Sequence, residues 1–486
     1  MEANIQRRKK SAACFLKGMV ESMAQQLGCS ALILAAGKGT RMKSPAPKVM
    51  QPILEEPMLF YVLKALKEAG VTDVAVVVGH GGEQVQGWLS KNAPEARVIW
   101  QREQLGTGHA VMAASDWIRS KQNVLVVNGD MPMITGAEIS QFLEKSRGAD
   151  LSFMTCDLEH PAQYGRVVRG GQSVRIVEAK DASADELSVR EVNSGVYLFE
   201  AQRLLEGLSS LTRGNSQGEY YIVDLVAWGC GKGLKVVPVK LPADNLSGVN
   251  DPFELAVLSA KMRDRILAEW LRKGVKCIDS SSVWISPRVQ FLGEAFLYPN
   301  VQIWGGSEIG EGCVIQSGTI LRNCVLKGNV QCLGYVVAQD VTAEEGVKMG
   351  PFCFLRDGTR LLKNSFAGKF VEIKKSEIGE GSKVPHLSYI GDAVVGPGTN
   401  IGAATVTCNY DGVNKHKTQI GTGCFIGSDT MLVAPVKIGD GAVVGAGSVI
   451  TKDVPEGALA VARGRQVVIE GWSQRKSSGQ KKNSEA

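Results

Sequence analysis

The sequence predicts two domains of different class, a doubly wound α/β domain followed by a left-handed parallel β-helix of hexapeptide repeats. Three observations carry this reading. Ile420, Ile426, Leu432, Ile438, Val444 and Ile450 recur every six residues, and four of them precede a glycine. That interval fits neither the 3.6-residue turn of an α-helix nor the two-residue alternation of a half-exposed strand. It suits a coil in which each six-residue segment gives a short strand and a turn, three segments close a triangular rung, and the aliphatic side chains stack inside. Second, apolar strand-like runs alternate with helical segments through the first half. Third, 486 residues are too many for one typical core. A glycine-rich β-sandwich competes for the second half, but it has no reason to hold one integer period through six positions.

In chain order, residues 1–28 open with Arg7, Arg8, Lys9 and Lys10, and the short apolar run after Ser11 is cut by Lys17 before it can form the core of a signal peptide. The segment reads as a flexible amphipathic extension, with Met23 as an alternative start. Cys29 to Ala36 is an apolar run suited to a buried parallel strand. A glycine turn, Gly37 to Met42, follows at once. A helix near 58–69 leads to the strand Val74 to Val78, and a helix near 108–119 leads to a strand from Val124 that ends in Asn128, Gly129 and Asp130. Strand and helix alternation of this kind places ligands at the carboxyl ends of the strands. The first domain is assigned to 29–250 and a helical linker, with its helix from about Asp251 to Lys273, to 251–279. The β-helix is assigned to 280–465, where the six-residue interval also appears at Ile303, Ile309, Ile315 and Leu321, and from Ile378 through Val384 to Ile390. Residues 466–486 form a flexible basic tail.

The 56 glycines and the 6% aromatic content suit a coil of close-packed turns. The net charge of +6 is concentrated in the two tails, where Arg475, Lys476, Lys481 and Lys482 match the basic start, so nucleic-acid binding has little support. Eleven scattered cysteines without a CxxC pair indicate reduced thiols in a cytoplasmic protein, with Cys408 and Cys424 as small apolar fillers. No run of eighteen apolar residues exists to cross a membrane.

The Gly37-to-Arg41 turn has neither the spacing of a Walker loop nor that of a dinucleotide fingerprint. Its two glycines permit unusual dihedrals and close approach of backbone N–H groups to an anion. Arg41 and Lys48 can hold phosphate oxygens or can be solvated surface charges. Asp130 suits a Mg²⁺ ligand, or it can cap the next helix. Together they indicate phosphoryl or nucleotidyl transfer with a metal. In the second half the coil is interrupted after Thr407 by residues 408–419, a polar and aromatic insertion that serves either as a binding loop or as an incidental excursion. His386 is the acid–base candidate, against the plainer reading of a structural or solvated histidine.

Longer motifs make the comparison specific. They are Leu34 through Met42, Pro47 and Lys48, Gln104 through Ala110, Asn128 through Asp130, Tyr164 through Arg166, Glu178 through Ala182, Asn193 through Gly195, Gln217 through Tyr221, and Gly248 through Asn250. In the second half they are His386 through Asp392 and Asn400 through Gly412. From about residue 29 to 465 the chain resembles the bifunctional bacterial N-acetylglucosamine-1-phosphate uridylyltransferase and glucosamine-1-phosphate N-acetyltransferase family.

The resemblance implies a nucleotidyltransferase domain whose Gly37-to-Arg41 loop wraps UTP, with Leu34, Gly37, Lys48, Gln101, Gln104, Gly106 and Thr107 binding the nucleotide. It implies Arg41 and Lys48 as cationic clamps and Asp130 and Asn250 as Mg²⁺ ligands. Gly165, Glu178, Asn193 and Asn250 would meet N-acetylglucosamine 1-phosphate. In the coil it implies His386 as the base, Arg356, Lys374, Tyr389 and Asn400 for glucosamine 1-phosphate, and Ala403, Asn409, Tyr410, Ser428, Ala446 and Arg463 for acetyl-CoA. The Ala403 N–H would steady the oxyanion, Asn409 would orient the amine or the histidine, and the 408–419 loop would reach a neighbouring subunit of a homotrimer. Two positions depart from the family's pattern: Asn128 stands where relatives carry Tyr, and Lys369 where they often carry Asn.

The resulting expectation is two-step synthesis of UDP-N-acetylglucosamine for cell-envelope polymers, with acetyl-CoA and UTP as co-substrates. Two other classes remain at this point: a single-activity sugar-1-phosphate nucleotidyltransferase with a structural β-helix, and a noncatalytic scaffold.

Overall fold

The computed structural model describes residues 24, 27–171, 173–246 and 248–473, so the basic N-terminal stretch and residues 474–486 of the tail lie outside the described residues. The described residues form two compact units divided between Met262 and Arg263.

The first unit is built on one sheet with strand order Val236–Lys240, Leu151–Asp157, Glu191–Glu200, Asn123–Asn128, Cys29–Ala35, Val74–Val78, Arg97–Trp100. Cys29–Ala35 pairs in parallel with Val74–Val78 on one side and with Asn123–Asn128 on the other. The chain therefore leaves its first strand in both directions, and the resulting switch point lies at the ends of Cys29–Ala35 and Asn123–Asn128. The apolar run is unbroken because both faces of the strand are covered. Ala31, Ile33 and Ala35 enter one core with Leu66 and Phe142, while Leu32 and Ala36 enter another with Val111 and Phe153.

The helix expected near 108–119 is instead two short helices, Thr107–Met112 and Ser115–Ile118. Ala114, at φ −94° and ψ 6°, breaks the helical path and lets Trp117 and Ile118 turn into the core. The linker helix runs Pro252–Arg272. Asp251 caps it by accepting the Glu254 N–H at 2.8 Å, and Pro252 sits at the first turn, where its missing N–H costs nothing. Gly274, at φ +106°, ends it, and the Val275 N–H returns to the Trp270 carbonyl at 3.1 Å. The first strand of the coil, Lys276–Cys277, follows directly, inside the stretch assigned from sequence to the linker.

The second unit is a left-handed parallel β-helix with three sheets of 11, 10 and 9 short strands. Each strand pairs in parallel with the corresponding strand of the next coil, as in Gln302↔Ile320↔Val337↔Phe354. The six-residue positions are its core: Ile426, Leu432, Ile438 and Val444 have no exposed surface, and neither do Ile303, Ile309, Ile315 and Leu321. Each described cysteine is a free thiol, and Cys424 is buried with its Sγ donating to the Gly439 carbonyl at 3.1 Å. Among the described residues no helix is long and apolar enough to cross a membrane.

Candidate active sites

At the switch point the turn after Cys29–Ala35 folds onto Lys48. Gly39 has φ +58°, and a Cβ there would come 2.8 Å from the Lys48 Cβ, so only glycine permits this approach. Met42 buries and anchors the turn, while Arg41 stays exposed. Arg41 Nη2 donates to Asn250 Oδ1 at 3.0 Å, Lys48 Nζ donates to the same oxygen at 3.1 Å, and Lys48 also pairs closely with Asp130 Oδ2. The Gly129 N–H donates to the Leu34 carbonyl at 2.9 Å, and the Val249 N–H to the Asp130 carbonyl at 3.1 Å. Three distant segments thus bring together Arg41, Lys48, Asp130 and Asn250, the four residues predicted for phosphate and metal. Gly37 has open space beside it.

Gln101 and Gln104 form a turn beside this loop. The Gln101 N–H donates to the Val78 carbonyl at 2.8 Å, and Gln104 Nε2 to the Gln101 carbonyl at 3.2 Å. A Cβ on Gly79 would meet both the Ala36 carbonyl, at 2.8 Å, and Gln104 Nε2, at 2.9 Å, which places the turn against the end of the first strand run. Gly106, at φ +103°, lies under the Tyr220 carbonyl, and Thr107 Oγ1 accepts the Ile222 N–H at 3.2 Å.

A third group lies toward the antiparallel side of the sheet. The Asn193 N–H donates to the Gly165 carbonyl at 2.9 Å, and Asn193 Nδ2 to the Tyr197 hydroxyl at 2.6 Å. Gly165 faces Glu178, whose Oε1 would lie 3.5 Å from an added Cβ. Burial holds the Glu178 carboxyl above the usual carboxylate range, Asp181 and Asp224 raise it further, and Lys180 opposes them. The Tyr164 hydroxyl accepts the Gly248 N–H at 3.0 Å, tying this group to the segment that carries Asn250. Asn128, one of the two departures noted above, places its amide nitrogen beside Gly195.

In the coil, strand register organises the predicted residues into columns. Lys383, Asn400, Phe425 and Val443 are successive partners on one sheet, so His386, Ala403, Ser428 and Ala446, each three residues further on, occupy equivalent positions on successive coils. Neighbouring coils are about 4.8 Å apart. Arg463 reaches the same column, with Nη1 donating to the Ala446 carbonyl at 2.7 Å. On the next sheet Phe354, Glu372, Tyr389 and Val406 are successive partners, which sets Arg356 one coil from Lys374. Arg356 Nη1 pairs with Glu372 Oε1 at 2.8 Å. Lys415 beside Lys374 lowers the Lys374 ammonium from its usual value, and Arg356 and Lys375 add to this.

His386 ends the strand Lys383–His386 with its ring exposed, and it forms no side-chain hydrogen bond among the described residues. Its register partner on the preceding coil is Lys369. Asn409 is buried and donates to Asp392 Oδ2 at 2.5 Å and the Tyr389 hydroxyl at 3.4 Å, so within this chain it is tied to those groups rather than to His386. The insertion closes on itself through a Tyr410↔Lys415 bridge, with Asp411 accepting the N–H groups of Val413 and Asn414 at 2.8 and 2.6 Å. Tyr410 is exposed at its base.

The MobA-like NTP transferase domain family matches residues 31–219, and the bacterial transferase hexapeptide family, six repeats, matches residues 417–452. The chain is 45% identical over 456 residues to a protein of Heliobacterium modesticaldum named bifunctional protein GlmU, covering 93% of this chain and 99% of that one. Proteins of the same name from Shouchella clausii and Carboxydothermus hydrogenoformans are also 45% identical, over 448 and 441 residues, covering 90% of this chain and 97% and 98% of theirs. The chain belongs to the bifunctional GlmU family.

Within this GlmU-family chain, several groups at the sites were given no role from sequence, although Tyr164, His109 and Asp392 fall inside the motifs and Lys415 inside the 408–419 insertion. Tyr164, Tyr197 and His109 line the first unit's sites, and Glu372, Asp392 and Lys415 line the coil's. Register would have found Glu372, one coil from Tyr389, but nothing in the spacing marks Lys415 as a neighbour of Lys374.

Proposed function

We infer that this GlmU-family chain makes UDP-N-acetylglucosamine in two steps: acetyl transfer from acetyl-CoA to glucosamine 1-phosphate, then uridylyl transfer from UTP with release of pyrophosphate. The observation that supports it best is that one chain carries both a switch-point cluster, Arg41, Lys48, Asp130 and Asn250, and a separate His386 column on a hexapeptide coil. A single-activity nucleotidyltransferase has no use for the second.

In the uridylyl step an oxygen of the sugar phosphate attacks the α-phosphorus of UTP, a P–O bond forms, and the bond to pyrophosphate breaks. The attacking phosphate is already ionised, so position and charge neutralisation lower the barrier. Arg41 and Lys48 clamp the phosphates. Gln101 and Gln104 hold the base, while Glu178 accepts a sugar hydroxyl hydrogen and Asn193 orients the acetamido sugar. Asp130 and Asn250 suit Mg²⁺: their two hard oxygens already converge on one cation, the Lys48 ammonium. Two protein oxygens suit an ion that keeps several waters and takes further ligands from substrate phosphate. When bound, Mg²⁺ supplies charge neutralisation between the nucleotide and sugar phosphates.

In the acetyl step the amine attacks the thioester carbon. A C–N bond forms, the C–S bond breaks, and His386 carries the amine proton that ends on the departing thiol. The Ala403 N–H faces the oxyanion one coil away. Arg356 and Lys374 hold the sugar phosphate with the Tyr389 hydroxyl, and Asn400 meets the sugar. Tyr410, Ser428, Ala446 and Arg463 extend along the coil for acetyl-CoA, with Asn409 positioning Tyr389 and Asp392. We place the chain in the cytoplasm as a homotrimer, a reading supported by its free cysteines, by the exposed Val413 in the insertion, and by a stacked row of half-exposed Tyr335, Phe352 and Phe370 on the coil.

The test supplies the full chain with glucosamine 1-phosphate, acetyl-CoA, UTP and Mg²⁺. At completion, equal amounts of free CoA, pyrophosphate and UDP-N-acetylglucosamine are expected; with N-acetylglucosamine 1-phosphate in place of glucosamine 1-phosphate and acetyl-CoA, pyrophosphate and UDP-N-acetylglucosamine should form in equal amounts without CoA. Turnover of UTP with the acetylated sugar but no CoA release from the unacetylated one would leave only the single-activity reading.

A further inference from the structure

We propose that His109 is a positioning residue that sets base selectivity, by locking the Gln101 carboxamide so that only its oxygen faces the nucleotide. Gln101 is almost fully buried, at 3% exposure. Its Nε2 lies 3.1 Å from the Gly106 carbonyl and 3.1 Å from His109 Nδ1. A carbonyl oxygen can only accept, so the amide must turn its NH₂ toward Gly106. The second N–H then falls on His109 Nδ1, which has to be the unprotonated ring nitrogen, with the ring proton on Nε2. Both donors of Gln101 are consumed, while Oε1 accepts no hydrogen bond among the described residues.

The partners are themselves fixed. Gly106 is at φ +103° with the Tyr220 carbonyl 2.5 Å from where a Cβ would stand, so its carbonyl cannot be redirected by another residue at that position. The His109 ring stacks on Tyr220, with centroids 6.3 Å apart and planes at 25°. The Gly108 N–H holds the Tyr220 carbonyl at 2.8 Å. The free Oε1 is a pure acceptor in a buried wall. Uracil presents an N3–H donor to such a group, whereas cytosine presents a lone pair at N3 and would be repelled. This inference rests on the reading that Gln101 contacts the base, and it adds what aims Gln101 and which base edge the aim selects.

The experiment measures kcat and KM for UTP and for CTP, with N-acetylglucosamine 1-phosphate and Mg²⁺, in the full chain and in Gln101→Leu, His109→Leu and His109→Asn. In His109→Leu the amide keeps the Gly106 carbonyl but loses its second acceptor, so its orientation is held less firmly. The UTP-to-CTP ratio of kcat/KM should fall by about tenfold, the size of one lost hydrogen bond, through KM for UTP and with kcat nearly unchanged. His109→Asn places a carboxamide oxygen where Nδ1 was and should restore most of the ratio, which a merely structural role for the ring would not do. A ratio unchanged in His109→Leu but lowered in Gln101→Leu overturns the role of His109 while keeping Gln101 on the base. A ratio unchanged in both removes the Gln101 reading as well. If circular dichroism shows that His109→Leu is unfolded, His109→Ala is measured in its place with the same two outcomes.

Discussion

The Lys48 ammonium stands 3.1 Å from the Asn250 carboxamide oxygen although 202 positions separate the two residues in sequence. The same ammonium pairs with Asp130, and Asn250 also accepts from Arg41. Two oxygens and two cations thus share one small volume, held by the paired ends of the first and fourth strands of the parallel set. One carboxylate therefore faces two cations, which leaves a net positive charge for phosphate, and a metal that took the two oxygens would free both cations.

From this follows the first prediction. Asp130→Ala should lower pyrophosphate release by about 10²-fold or more, a loss of the order seen when one preorganised charge-stabilising group is removed. Acetyl transfer should stay near the wild-type rate. Raising the Mg²⁺ concentration should recover part of the uridylyl activity. Full uridylyl transfer at ordinary Mg²⁺ would remove Asp130 from the metal site.

Glu178 gives a pH-dependent prediction. Its carboxyl is raised in the folded chain, chiefly by burial, so between the ordinary carboxylate value and the raised one the folded state holds more protons than the unfolded state. Stability from this group therefore falls as pH rises through that window and stays low above it. Glu178→Gln removes the penalty. Its Tm should exceed wild type at pH 8, with the gap closing as pH drops through the carboxylate range, while KM for N-acetylglucosamine 1-phosphate rises. A lower Tm at pH 8 would show that the buried carboxylate is net stabilising.

The cations on the coil predict a KM effect. Arg356→Ala should raise KM for glucosamine 1-phosphate by about tenfold, the scale of one charge-assisted hydrogen bond. Lys415→Ala should raise it less, because it removes a cation but also relieves the crowding that lowers Lys374. Steady-state acetyl transfer at several salt concentrations checks both. An unchanged KM for Arg356→Ala would move the phosphate elsewhere.

How much of this was legible beforehand differs between the two halves. The six-residue interval marks the coil outright, because only inward positions must be aliphatic, and Ile420 through Ile450 prove to be its buried core. The insertion at 408–419 is visible as a break in that interval. The single helix expected near 108–119 is not formed, since its pattern does not show that Trp117 must turn inward at Ala114. The residues sharing the Lys48 site could be named one by one, but their convergence depends on strand order, which no local pattern specifies. Lys415 and His109 lie in segments visible from sequence, but their roles emerge only from proximity, one across a loop closure and the other across a glycine turn.

Two chemistries at two separate sites on one chain are tested most directly by running thiol release and pyrophosphate release side by side on His386→Ala. CoA release from acetyl-CoA and glucosamine 1-phosphate should fall by about 10²- to 10⁴-fold, the usual cost of losing a general base. Pyrophosphate release from UTP and N-acetylglucosamine 1-phosphate should stay near the wild-type rate, in a variant whose circular dichroism and mass match wild type. Wild-type CoA release in that intact variant, or equal loss of both activities, would contradict the account.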